Sequence, residues 1–149
     1  MGLLSDMAAG SERRLIAARA VVGDAELRER CAALPPLPRL RLSAAGFDLI
    51  AELKLRSPAL GDLSAQTMDP VARLRGYAEA GAAICSILTE PSRFDGDLAH
   101  LRQAATTLAP YGVPAMRKDF LVDPYQVLEA RVNGAGGVLL IVRMVERDR

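Results

Sequence analysis

The stretch Phe47–Pro58, FDLIAELKLRSP, is apolar enough to be buried, yet it carries Glu52 and Lys54. Strand side chains alternate with period two. Ile50, Glu52 and Lys54 therefore share one face, and Leu49, Ala51 and Leu53 share the other. A wholly apolar second face suits a strand covered by helices. Opposite charges on the first face are costly to bury without a purpose. They suit the mouth of a barrel of strands, where strand ends carry the chemistry.

Three more apolar runs follow. Strands are predicted over Ala83–Glu90 (AICSILTE), Val113–Phe120 (VPAMRKDF) and Val138–Val142 (VLLIV). The intervening segments are punctuated as helices. Asp69-Pro70 pairs an N-cap with a first-turn proline and Gly81 stops that helix, while Asp123-Pro124 and Gly134 bound another. Between Gly96 and Leu108, the residues Leu98, Leu101, Ala105 and Leu108 have the spacing of a buried helical stripe. Strand ends at Lys54, Leu88, Lys118 and Val142 lie 34, 30 and 24 residues apart. That is the spacing of βα units, so the class is α/β with a parallel sheet. A closed barrel and an open doubly wound sheet both satisfy this pattern.

Residues 1–46 read as a helical extension added to the barrel part, 47–149, rather than as a separate domain. Helix is predicted over 3–33 with a break at Gly23-Asp24, where Asp24 is the expected N-cap. Pro35-Pro36-Leu37-Pro38 forms a stiff connector, and 39–46 is expected to hold one short helical turn.

The 19 basic and 18 acidic residues leave a net charge of +1, which argues against a general attraction to nucleic acid or to a membrane surface. No run approaches the ~20 apolar residues of a membrane span. The N-terminal MGLLSDMAAGSERR lacks the basic region and long apolar stretch of a secretory signal. Cys31 and Cys85 have no metal-ligand spacing and read as small packing residues, and a reducing, cytoplasmic setting fits them. His100, the only histidine, is expected on a helix surface remote from the strand ends.

Three blocks then match one family. IAELKLRSP resembles the first barrel strand and loop of the indole-3-glycerol phosphate synthases, SILTEPSRFDG their second strand and loop, and MRKDFLVDPYQVLEARVNGAGGVLLIV their third strand, third helix and fourth strand. The blocks stand in the family's order and cover roughly residues 47 to 145. Two positions depart from the pattern: Leu55 stands where a basic residue is common, and Ala59 where a serine is common. The resemblance implies the parallel (β/α)8 TIM-barrel fold, here about its first four strands behind the helical extension. Such barrels need about 250 residues.

The resemblance also implies a carbon–carbon lyase of tryptophan biosynthesis. It would close 1-(2-carboxyphenylamino)-1-deoxyribulose 5-phosphate to indole-3-glycerol phosphate with loss of carbon dioxide and water. No metal and no cofactor are implied, and the partner is a phosphorylated small molecule. By resemblance, Lys118 is the general acid for ring closure, Lys54 a substrate-contacting or proton-transferring lysine, and Glu52 its positioning carboxylate or a helper in dehydration. Ser57 resembles a residue near the substrate phosphate. Phe94, Phe120 and Leu139 resemble walls of the pocket for the anthranilate ring. Against these stand plainer readings: a solvated Lys118, a structural Glu52–Lys54 ion pair, a turn-initiating Ser57 and ordinary core roles for the apolar residues. Glu90 is expected to orient its neighbours, Asp119 to face the helical layer or cap, and Arg143 to share a face with Leu139 and Ile141. The family's further site residues come from strands five to eight, outside this sequence, so the 149-residue chain is expected to lack activity by itself. The rival reading is a non-catalytic half-barrel that associates with itself or with a complementary half through open sheet edges. The isomerase acting one step earlier is disfavoured by the Glu52/Lys54 pair and the MRKDF strand.

Overall fold

A computed structural model describes residues 2–44, 46–57, 61–62 and 69–145. Two helices, α1 (Leu3–Val21) and α2 (Asp24–Ala33), precede the first strand, β1 (Ile50–Leu53). A short antiparallel ribbon of β2 (Arg56–Ser57) and β3 (Gly61–Asp62) follows, and then α3 (Pro70–Glu79) and β4 (Ile84–Leu88). Next come a one-turn helix α4 (Pro91–Phe94), α5 (Leu98–Leu108), β5 (Ala115–Lys118), α6 (Pro124–Val132) and β6 (Gly137–Val138).

Four strands make one parallel sheet in the order β1-β4-β5-β6, so each lies beside the next long strand in the chain. A doubly wound sheet starts inside and reverses direction, whereas this order starts at an edge and never reverses. It is the order of consecutive barrel strands. The register aligns Glu52, Ser86 and Met116 on one face, and Leu53, Ile87 and Arg117 on the other. The second face is the packed one. Leu53, Cys85, Ile87 and Ala115 form a core with Leu74 of α3, Leu101, Ala104 and Leu108 of α5, and Ala130 of α6. Apolar alternation on β1 and β4 and the 3.6-residue stripe of α5 meet there.

Caps set the helix starts. Asp69 accepts from the Ala72 N–H and Asp97 from the Ala99 N–H, while Asp123 and Gln126 make a reciprocal capping box on α6. Gly134, at φ +87°, turns the chain out of α6 in the left-handed region that glycine enters freely. Helices α1 and α2 lie on α6, where Leu15, Leu27 and Tyr125 form a second core cluster. The Tyr125 hydroxyl donates to the Val22 carbonyl at 2.9 Å, and the Arg19 guanidinium lies 5.1 Å over the Tyr125 ring.

Several expectations are corrected. Asp24 is the first residue of α2 and makes no side-chain cap; extended Gly23 takes the N-cap position. Residues 39–44 and 46 hold no helical turn. The strands are shorter than the apolar runs, since Phe47 and Leu49 precede β1 and Phe47 is 82% exposed. The fourth strand is Gly137–Val138, not Val138–Val142. One more ladder bond, from the Leu139 N–H to the Arg117 carbonyl, ends the pairing, because β5 itself ends at Lys118. Arg143 then falls in a 3₁₀ turn, Val142–Met144, and is exposed. His100 is half-buried rather than on the surface, and lines a cavity of about 110 Å³ with Leu53, Ile87, Leu88 and Phe94. Ala59 lies outside the described residues. Among the described residues, no helix is long and apolar enough to cross a membrane.

Cys85 is fully buried in β4, and burial pushes its thiol up to about 11. Cys31 is half-buried, with its Sγ 3.3 Å from the Leu128 carbonyl oxygen. Titration with a thiol reagent at mildly alkaline pH should therefore label one equivalent in the native chain and the second only on unfolding. Two fast equivalents would show that β4 is not packed as described.

Candidate active site

The face of the sheet opposite the helices carries the polar chemistry. Glu52 near the end of β1 receives two ammonium groups, Lys118 Nζ at 2.6 Å from Oε2 and Lys54 Nζ at 2.8 Å from Oε1. Lys54 reaches it from directly after β1, and Lys118 from the end of β5, across the central strand β4. The three side chains are 29–38% exposed, enough to meet a ligand and too little to be fully solvated. Burial pushes the Glu52 carboxyl up, but hydrogen bonds and charge from Lys118 and Lys54 outweigh it and hold the group below its ordinary value. Two cations against one anion leave a net positive charge at this rim, which suits an anionic ligand. Between the arms of the cluster, in register with Glu52, lies Ser86; its buried hydroxyl has no hydrogen-bond partner among the described residues.

Loops after the strands carry two aromatic rings. Phe94 ends α4 and Phe120 follows β5, and their rings meet at 6.4 Å between centroids with 33° between planes. Gly96 lets the loop after Phe94 fold back on β4: a Cβ there would stand 2.6 Å from the Leu88 carbonyl oxygen and 2.7 Å from the Glu90 nitrogen. Ser57 is buried in the β2–β3 ribbon, paired with Gly61, and neighbouring Arg56 reaches Asp95 at 3.4 Å. Leu139 is half-buried directly after β6, tied to Arg117 by its ladder bond. The structure thus joins Glu52, Lys54 and Lys118 in one cluster and Phe94 with Phe120 in one ring pair, and sets Ser57 in the β2–β3 ribbon and Leu139 after β6.

Behind the rim, on the helix-covered face, lies a polar network in which Glu90 orients the start of α4 and Asp119 faces the helical layer, as expected, together with two arginines that sequence reading passed over. Arg117 is 3% exposed; it donates to Thr89 Oγ1, to Asp119 Oδ2 at 3.0 Å, to the Gln126 carbonyl and to Glu129. Arg14 of α1 reaches Asp119 at 2.7 Å and Glu90 at 3.6 Å. Both arginines left a signal. Arg117 has the parity of the apolar face, and Arg14 lies seven residues after Met7 and three after Ser11, on the buried side of α1.

Comparison with known proteins bears on this arrangement. A family model described as indole-3-glycerol phosphate synthase matches residues 7–149. The chain belongs to the indole-3-glycerol phosphate synthase family. It is 44% identical over 152 residues to the protein of that name from a Nocardioides species, covering 99% of this chain and 56% of the relative. The relatives from an Arthrobacter species and from Saccharopolyspora erythraea are 42% and 41% identical, with 95% and 99% of this chain covered and 53% and 54% of theirs. The chain spans about half the length of the curated relatives it matches. The family fold is a TIM barrel, and the four parallel strands are part of one.

A carboxyl held low in the folded state contributes stability above its ordinary pKa of about 4.3, and that contribution is lost as pH falls through the lower folded value. Glu52→Gln should therefore lower the urea midpoint at pH 7, and the difference should shrink as the pH falls through the carboxyl's lowered folded value. A difference that does not change at all as the pH falls from 7 into the acid range would show that the two ammonium groups do not hold this carboxyl down.

Proposed function

We propose that this chain supplies the first part of an indole-3-glycerol phosphate synthase active site. The observation that carries the reading is the convergence of Lys118 and Lys54 on Glu52 at the strand ends, with Phe94 and Phe120 paired in the loops after β4 and β5. In the reaction, a ring carbon of the anthranilate part bonds to the ribulose carbonyl carbon, and the carbonyl oxygen takes a proton from the Lys118 ammonium. The carboxylate leaves as carbon dioxide, and its bonding electrons stay with the ring. The new hydroxyl then departs as water with a proton from the Lys54 ammonium, while Glu52 takes the proton from the adjacent former sugar carbon, whose C–H electrons form the double bond of the indole ring. Atoms and electrons balance with no cofactor. The aromatic pair suits the anthranilate ring, and the positive rim suits the carboxylate and phosphate; Ser57 would stand near the phosphate and Leu139 against the ring. A cytoplasmic setting accords with such biosynthetic chemistry.

The test is to join the chain in frame to the second half of the Nocardioides relative and follow indole-glycerol fluorescence. The joined protein should turn over, and the 149-residue chain alone should not. In the joined protein, Lys118→Ala should lower kcat by about 10²–10⁴-fold with little change in KM. An unchanged kcat would move the acid to Lys54, and failure of the joined, folded protein to turn over would sink the reading.

A second reading rests on the sheet edges. β1 and β6 lie at the two ends of the strand order, and Ile50 is 62% and Leu140 49% exposed beside them. Unpaired edges with apolar neighbours favour association. Light scattering on the 149-residue chain should show mass rising with concentration. A monodisperse species of 15.9 kDa at every concentration would reject self-association.

A further inference from the structure

We propose that Arg14 is a positioning residue: its guanidinium ties together the two loops that carry Phe94 and Phe120, and so sets the spacing of the aromatic wall. The inference rests on the reading of these rings as the wall for the substrate's aromatic ring.

Each ring is oriented through one buried carboxylate at a strand end. Glu90, after β4, is 1% exposed and gives both oxygens to α4: Oε1 accepts from the Ser92 N–H at 2.9 Å and its hydroxyl at 2.6 Å, and Oε2 from the Arg93 N–H at 2.8 Å. That grip sets the start of the single turn that ends in Phe94. Asp119, after β5, is 3% exposed. Its Oδ1 accepts from the Phe120 N–H at 2.8 Å, and its Oδ2 from Thr89 Oγ1 at 2.9 Å and Arg117 Nη2 at 3.0 Å. That grip sets the backbone of Phe120.

Buried carboxylates require a cation or several donors. Asp119 has Arg117 from its own strand. Glu90 has no cation from the sheet; among the described residues its one ion-pair partner is Arg14 Nη1 at 3.6 Å. The other terminal nitrogen of Arg14 lies 2.7 Å from Asp119 Oδ1. One planar fork therefore spans two carboxylates from different loops, and its rigid geometry limits how far they can separate. A lysine, with a single charged point, cannot bridge both in this way.

Helix α1 is independently placed, so it can act as a fixed reference. Ser11 and Gln126 are both buried and joined at 2.8 Å, and Leu15 packs on Tyr125. Arg14 meets the strand ends from the helix-covered side, with Arg117, while Lys118 points to the opposite face. It acts on the rings without belonging to the cluster around Glu52.

The chain has three phenylalanines, and 4-fluorophenylalanine labelling gives one fluorine resonance for each. Phe47 is 82% exposed and outside the sheet, so it serves as the internal reference; Phe94→Leu and Phe120→Leu assign the others. Spectra are taken on the 149-residue chain and on the chain joined to the Nocardioides second half. Arg14→Gln should shift the Phe94 and Phe120 resonances together and leave Phe47 in place. Arg14→Lys should restore at most one of the two. In the joined protein, Arg14→Gln should raise KM about tenfold with kcat within about twofold. The proposal is overturned if the two ring resonances stay put while α1 loosens, if all three resonances move together, or if Arg14→Lys behaves as wild type. Loss of turnover in the joined wild-type protein would instead count against the functional reading, and the fluorine spectra would still decide the role of Arg14.

Discussion

Three consecutive charges, Arg117-Lys118-Asp119, stand at the end of a strand packed inside the protein, and period-two geometry must send them to opposite sides. Everything at this rim depends on how that conflict is resolved. Arg117 and Asp119 go to the helix-covered face and neutralise each other there, with Thr89, Glu129 and the Gln126 carbonyl taking the remaining Arg117 donors. Lys118 goes to the open face and meets Glu52. The buried pair is costly to desolvate. With it in place, the lysine between its members sits on a strand end whose backbone is tied from behind.

The same logic explains the loops. A one-turn helix has little stability of its own, and α4 keeps its shape because Glu90 satisfies its first N–H groups and Gly96 lets the chain fold back against β4. Phe94 is thus held by a carboxylate on one side and by close backbone contact on the other. Asp95, at φ 51°, makes the turn between the two in the left-handed region, which aspartate enters more readily than most residues.

Much of this was legible in the linear chain. Caps at Asp69 and Asp123 and the stop at Gly134 are local signals, because a cap needs only a side-chain acceptor within three residues. Alternation placed Glu52 and Lys54 on one face, and although β1 ends at Leu53, Lys54 does meet Glu52 there. Where local reading failed, a partner elsewhere decided. Apolar VLLIV ends as a strand after Val138, because the neighbouring ladder runs out at Lys118. His100 is drawn half inside because Leu53, Phe94 and the sheet come up against its helix.

The sequence by itself determined the class of fold, the order of its elements and the family, because period, caps and motif blocks are all local properties of neighbouring residues. It also determined which residues carry charge at the strand ends. Only the tertiary structure decided that Lys54 and Lys118 share one carboxylate, since that meeting depends on the register of β1, β4 and β5 together. The structure alone, too, brought Arg14 across 105 residues to Asp119. No periodicity records such a contact: two side chains from distant segments meet only when both segments have packed on the same core.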